Sequence, residues 1–286
     1  MRKTNYISLL ISLSLVSIMT FPLNAQVSIP MGSPSEIRRF ENSKTYIVKE
    51  NIMISDYNLA IEKLAEEHWY LTNTETISFT EFRKKRKNPN ASFIYMNPVY
   101  FEDDKTQTAY EYMFLSLGDS SGEPEQMTDL CAVPLAVKNA EQEDYVYKIG
   151  LVLQFMQNHV ITAKQNNSLD EKSIVDYYTS QPYRIENKEL WLIKSEIETS
   201  LRQKSGMKSV YPYPFRYVEK EDVTNAIAEN RDDVIILHLI PAGKNDFCFK
   251  LFLNAGNAEL YYYDHHKINN RKPSFLLGKD LKKFAK

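Results

Sequence analysis

Lys44-Thr45-Tyr46-Ile47-Val48 and, much later, Lys188-Glu189-Leu190-Trp191-Leu192-Ile193 open two stretches that spell out similar successions of elements. Reading the second as a copy of the first decides the fold. Short continuous apolar runs rich in β-branched and aromatic residues suit strands covered on both faces. After the first run, Ser55 caps a segment with Tyr57, Ala60, Ile61, Leu64 and Ala65 on one helical face, where His68 also falls. A strand over 74–77 follows. Ser78 and Glu81 then form a capping box opening a helix through Lys87, stopped by Asn88-Pro89-Asn90. Strands are predicted over 92–96, 110–117 (ended by Gly118) and 130–137, and a longer helix over 144–163.

The later stretch repeats that order. A strand over 190–193 leads to a second capping box, Ser195 and Glu198, with Ile197 and Leu201 on one face and Gly206 as the stop. Residues 215–218 read as a strand, and Val223, Ala226 and Ile227 mark a helix. Strands over 234–240, 247–253 and 260–266 and a terminal helix over 280–285 complete it. Lys44 matches Lys188, Phe79 matches Asp222, Ile94 matches Ile236 and Phe114 matches Leu251.

The fold class is therefore α/β (α+β mixed), with two similar β-α-β-α-β-β-β-α modules, each a mixed sheet flanked by helices. Strands joined through helices run parallel by right-handed crossovers; the last three, joined by short loops, run antiparallel. The modules occupy residues 44–167 and 188–286, and each closes its own apolar interior. Residues 168–187 form a connector with a helical piece over 168–178, and residues 26–43, carrying Pro30, Gly32 and Pro34, form a flexible N-terminus.

With 286 residues, 43% hydrophobic and 25% charged, the chain is long and apolar enough to bury a core. A net charge of -2 provides no global field toward nucleic acid or an anionic membrane, so no nucleic-acid partner is expected. Arg2 and Lys3 precede an apolar run over 7–21 and the small-residue end Asn24-Ala25, the build of a secretory signal peptide over 1–25, cleaved after Ala25. No later run is long enough to span a bilayer, so the mature chain is expected to be periplasmic or secreted, without membrane insertion. Cys131 and Cys248 could pair in an oxidising compartment. Both also lie in apolar strand-like runs, where a free Cys behaves as a small hydrophobe.

The eight glycines include no G-x-G-x-x-G and no P-loop, so no nucleotide cofactor is expected. Ser205-Gly206-Met207-Lys208 fits S-x-x-K, but Gly206 reads as a helix stop where the pattern needs a helix start. Asp264-His265-His266 carries metal-ligand types, yet neighbouring strand residues point to opposite faces, so the cluster reads as a strand end meeting solvent and no metal is expected. His68, His159 and His238 fall on apolar faces and read as core or boundary residues. Arg83-Lys84-Lys85-Arg86-Lys87 reads as a solvated helix face beside the inward Phe79 and Phe82.

Tyrosine is the remaining signal. Tyr211-Pro212-Tyr213-Pro214 and Tyr261-Tyr262-Tyr263 concentrate rings that combine apolar area with a hydroxyl. Alternation places Tyr261 and Tyr263 on one face of the last strand and Tyr262 on the other. Tyr211, Tyr213, Tyr261, Tyr263 and His265 are the candidate binding residues, and no catalytic residue is assigned.

The run from Leu190 through Ile240, with Leu-Trp-Leu-Ile and then Tyr-Pro-Tyr-Pro-Phe-Arg-Tyr-Val, resembles uncharacterised exported proteins of Bacteroides-type bacteria. The likeness covers the second module and, more faintly, the first; it implies a periplasmic or secreted location and carries no activity. In element order alone the modules also resemble small α/β domains of cell-envelope assembly proteins. The expectation is an exported non-enzymatic binding or assembly protein of the envelope whose partner is an envelope protein or a glycan. The alternative is a hydrolase or carbohydrate-binding protein acting on a glycan or peptide.

Overall fold

The computed structural model describes residues 28–52, 55–101, 106–180 and 185–286. The signal peptide expected over 1–25 lies outside these residues. Of the segment 26–43, expected to be flexible, the described residues 28–43 are docked. The Ser33 hydroxyl accepts from the Glu36 amide and the Glu36 carboxylate accepts from the Ser33 amide, opening α1 (Pro34–Glu41) with Pro34 where no amide hydrogen is needed. Ile29, Ile37 and Phe40 are buried in the main core, and Phe40 meets Trp69 edge-on at 6.3 Å. Three apolar anchors outweigh the Pro and Ser content that suggested a tail.

Next come β1 (Lys44–Val48), α2 (Asp56–His68), β2 (Thr74–Ile77), α3 (Phe79–Lys85), β3 (Ala91–Tyr100), β4 (Ala109–Leu117), β5 (Thr128–Val137) and α4 (Ile149–Gln165). The strands lie in the order β2-β1-β3-β4-β5. Those joined through α2 and α3 run parallel, and the rest antiparallel. α5 (Ile174–Ser180) leads into β6 (Glu189–Leu192), α6 (Lys204–Lys208), β7 (Phe215–Tyr217), α7 (Lys220–Ala228), β8 (Val234–Ile240), β9 (Phe247–Asn254), β10 (Leu260–Lys267) and α8 (Gly278–Phe284). The second sheet, β7-β6-β8-β9-β10, repeats both the order and the directions of the first.

Strand register aligns the copies residue by residue. Lys44 faces Ala91 as Glu189 faces Val234, and Ser92 faces Leu117 as Ile235 faces Asn254. Phe114 thus corresponds to Leu251, as the sequence suggested. Lys44 corresponds to Glu189 rather than Lys188, Ile94 to Leu237 rather than Ile236, and Phe79 to Lys220 rather than Asp222, because the loops absorb small shifts.

Three helices differ from expectation. No continuous helix starts at Ser195: 3-10 turns at Lys194–Glu196 and Thr199–Arg202 precede the short α6. Glu198 accepts instead from the Gly278 amide at 3.0 Å. Gly206 lies inside α6, where a Cβ would come 2.0 Å from the Ser200 carbonyl oxygen, so packing rather than termination requires glycine. Two 3-10 turns occupy Gln142–Asp144 and Val146–Lys148 before α4 begins. In the connector, Asp170 Oδ1 accepts from the amides of Lys172 and Ser173, turning the chain and delaying α5 to Ile174.

The interior is shared. α4 buries Ile149, Leu151, Val152, Leu153, Phe155 and Met156, apolar groups that point all round its axis, so it needs cover from more than one sheet. One core joins Ile61 of α2, Ile94 and Leu115 of the first sheet, α4, Val223 and Ile227 of α7, and Ile236, Leu251 and Tyr263 of the second sheet. The expectation that each module closes its own interior is corrected accordingly. The outer faces are covered separately, by Phe82 of α3 over Phe93 and Tyr95, and by Met207, Leu281 and Phe284 of α6 and α8 over Leu237 and Phe252.

This burial fixes how the copies stack. α3 lies outside while its counterpart α7 lies in the shared core; α2 lies in the core while its counterpart α6 lies outside. The halves are therefore related head to tail, like successive repeats of a solenoid. Register aligns Phe82 with Val223, and so Lys85 and Arg86 with Ala226 and Ile227. The Lys85 ammonium sits 4.6 Å from the Tyr46 ring centre and the Arg86 guanidinium 5.7 Å from that of Phe82, so their stems shield aromatic surface. Among the described residues no helix is long and apolar enough to cross a membrane.

Candidate binding cleft

β10 ends the second sheet, and α5 packs beside it. A cavity of about 450 Å³ opens between α5, β10 and the C-terminal α8. Three of the five expected binding residues, Tyr213, Tyr261 and Tyr263, line it together with Tyr262. Asp176 of α5, Glu186, Lys283 and Lys286 supply charges.

The strict alternation expected along β10 fails at a bulge. Leu260 faces Leu253, but the next residue opposite Phe252 is Tyr262, so Tyr261 is the extra residue. Tyr261 and Tyr262 consequently both pack into the outer core, and Tyr263 turns into the shared one. The Tyr261 hydroxyl donates to Glu259 at 3.0 Å and the Tyr262 hydroxyl to Asp264 at 3.1 Å, where Lys283 Nζ also approaches to 3.2 Å. Burial pushes the Asp264 carboxyl up, but the Lys283 ammonium and the donated hydrogen bonds outweigh it, and the group lies below its ordinary value. Burial pushes the Tyr262 phenol well up, so it remains a neutral donor.

Tyr211 is a support rather than a contact residue. It is fully buried, lies parallel to Phe284 at 5.9 Å and meets Tyr213 edge-on at 5.5 Å. Its hydroxyl has no hydrogen-bond partner among the described residues. Half-buried Tyr213 is thereby held between the exposed Pro212 and Pro214 and the buried Tyr211. His265 is away from the cavity, stacked on Phe249 at 5.5 Å, and burial lowers its pKa.

His266 is buried with Nε2 2.9 Å from the Pro273 carbonyl, so the Asp264-His265-His266 run is not simply a strand end meeting solvent. Among the described residues no group of three His, Cys, Asp or Glu could hold a metal ion. Cys131 and Cys248 are free and buried in different apolar clusters, and burial raises both thiol pKa values, that of Cys248 to about 12.

Asp176, Glu186, Lys283 and Lys286 carry no motif in the sequence. They meet only because α5 crosses β10 and the chain returns as α8. The described lining contains no His, Cys or Ser, and its charged residues Asp176, Glu186, Lys283 and Lys286 are exposed. Such an arrangement suits holding a ligand by aromatic area, hydroxyls and charge pairing. No protein-family model, curated protein or solved structure matches the chain.

Proposed function

We propose that the protein is exported to the bacterial cell envelope and acts there as a non-enzymatic binding or assembly protein, with the tyrosine cleft as its contact site for an envelope protein or a glycan. The observation behind this reading is the convergence of Tyr213, Tyr261 and Tyr263 on one cavity, with Asp176 and Lys283 beside them. Rings braced from behind, as Tyr213 is by Tyr211, lose little conformational freedom on binding, and tyrosines of this kind dominate many contact surfaces. Export rests on the charged, apolar and small-residue succession of residues 1–25.

Retention of partners from envelope extracts on immobilised protein, followed by mass spectrometry, tests the function. Wild type should retain a partner that Tyr213→Ala loses. Equal retention by both proteins removes the cleft from the reading; hydrolysis of envelope glycans or peptides by the purified protein favours an enzyme. Cell fractionation and N-terminal sequencing test export, with Gln26 expected as the first residue.

A further inference from the structure

We propose that a second groove, at the junction of the two halves, binds a neutral polyhydroxylated ligand of the oligosaccharide class. A cavity of about 580 Å³ lies where α2, α4, α7 and the β9–β10 turn converge, within the ~300–1,000 Å³ typical of small-molecule sites. A smaller cavity of about 350 Å³ adjoins it, with Asn158 and Asn257 lining both. Among the described residues neither shares a lining residue with the tyrosine cleft.

The ligand class follows from the lining. Tyr70 is 67% exposed at the groove and offers a flat face to the C–H side of a sugar ring. Gln154, Asn158, Asn230 and Asn257 supply amides, each with donor and acceptor, which matches the hydroxyl groups of a sugar without any charge. Among the described residues no Lys or Arg lines either cavity, while Glu67, paired with Lys63 at 3.6 Å, lines the larger and Glu259 the smaller. An anion therefore meets two carboxylates and no cation in the described lining, whereas a carboxylate readily accepts from adjacent hydroxyls. Burial lowers the His68 pKa, and its Nδ1 lies 2.8 Å from Gln154 Nε2, so a neutral ring accepts there.

The groove is also rigid before any ligand arrives. Fully buried Asn254 accepts from the amides of Gly256 and Asn257 at 2.9 and 3.0 Å and donates to the Asp232 carbonyl at 2.7 Å. A Cβ at Gly256 would sit 2.6 Å from the Asn230 carbonyl oxygen, so glycine alone permits this approach between the β9–β10 and α7–β8 turns. Asn158 Nδ2 donates to the Asn257 carbonyl at 2.5 Å, tying the turn to α4. Polar groups fixed in this way bind without an added ordering cost.

Calorimetric titration of the purified protein with maltohexaose, cellohexaose and chitohexaose, with hexametaphosphate as an anionic competitor, tests the proposal. At least one neutral hexasaccharide should bind saturably, resist competition by hexametaphosphate, and bind about tenfold more weakly to both Tyr70→Ala and Asn158→Ala. Tyr70 is exposed, so its variant should keep the wild-type thermal transition, and Tyr213→Ala should bind the sugar as wild type does. Absence of binding by all three sugars, displacement by hexametaphosphate, indifference to the Tyr70 and Asn158 substitutions, or loss in Tyr213→Ala would each overturn it. Envelope-partner retention is read separately through Tyr213, so the failure of one reading does not mimic failure of the other.

Discussion

His238 stands in the second sheet where Tyr95 stands in the first: Tyr95 faces Phe114 across β3 and β4, and His238 faces Leu251 across β8 and β9. Their surroundings differ because the halves stack head to tail. Tyr95 packs under α3 at 5.0 Å from the Phe82 ring, whereas His238 Nε2 reaches the Pro134 carbonyl of β5 at 2.8 Å. A position that fills space at the end of the stack becomes a polar tie between sheets in its middle. Burial pushes the His238 pKa down to about 3, so the ring is neutral and its Nε2–H donates to that carbonyl.

Stability should therefore fall in mild acid. Burial depresses His159 as well, to about 4, while its ring contacts the Tyr178 hydroxyl and the Pro30 carbonyl. Both folded values lie below the ordinary ~6.5, so as pH drops the unfolded chain takes up these protons first and each histidine removes ~1.4 kcal/mol per pH unit until its folded pKa is reached. Burial also lowers His68, His265 and His266, which act in the same sense, while Asp129, raised by burial to about 6, and Glu111 and Glu196, likewise raised by burial, act in the opposite sense, three groups against five. The urea midpoint should be lower at pH 5 than at pH 7, and the difference should shrink in His159→Gln/His238→Gln. A midpoint that holds or rises on acidification contradicts this account.

The ion pair between the halves, buried at its lysine end, gives a sharper test. Lys148, 1% exposed before α4, lies 3.2 Å from Glu196 at the end of a 3-10 turn after β6. Burial opposes the charge on Lys148, but the Glu196 carboxylate and the Tyr147 phenol oxygen outweigh it and the pKa rises. Glu196→Gln strands the ammonium and should cost about 3 kcal/mol, whereas Lys148→Met/Glu196→Leu should recover most of that loss. Urea unfolding of Lys148→Met, Glu196→Leu and the double variant supplies the cycle; additive losses would show that the groups do not depend on each other.

Tyr211 separates ring from hydroxyl. Its ring is fully buried against Phe284, but its hydroxyl has no hydrogen-bond partner among the described residues. Tyr211→Phe keeps the packing and relieves an unsatisfied polar group, so it should be neutral or stabilising by about 1 kcal/mol. Tyr211→Ala should cost ~3–5 kcal/mol. Thermal unfolding reads both, and a large loss in Tyr211→Phe would mean that the hydroxyl is hydrogen-bonded after all.

What could be read from sequence was local. β2 and β8 match their expected spans, and Ser78 and Glu81 cap α3 as predicted, because strand composition and capping act over a few neighbouring residues. The order of elements was legible for the same reason, twice over. The docking of Ile29 and Phe40, the bulge at Tyr261 and the meeting of Tyr213 with Asp176 were not, since each is decided by residues distant in the chain. Pocket residues such as Asn158 and Asn257 carried no signal either: Asn is common in turns, and only the crossing of α4 with the β9–β10 turn makes these two neighbours.

One sequence difference between the copies does have a visible physical consequence. Where α7 carries Ala226 and Ile227 and lies in the shared core, α3 carries Lys85 and Arg86, half-buried over Tyr46 and Phe82. The cations let α3 end the stack as a polar-faced terminal repeat does, keeping a sheet face that would otherwise accept another half from sticking. Lys85→Ala/Arg86→Ile gives α3 the face of α7 and leaves it without a partner. Sedimentation velocity should show concentration-dependent self-association of this variant, undiminished by salt, and none through this face in wild type. If the variant sediments as wild type at every concentration, the two cations do not guard the end of the stack, and shape alone must stop it.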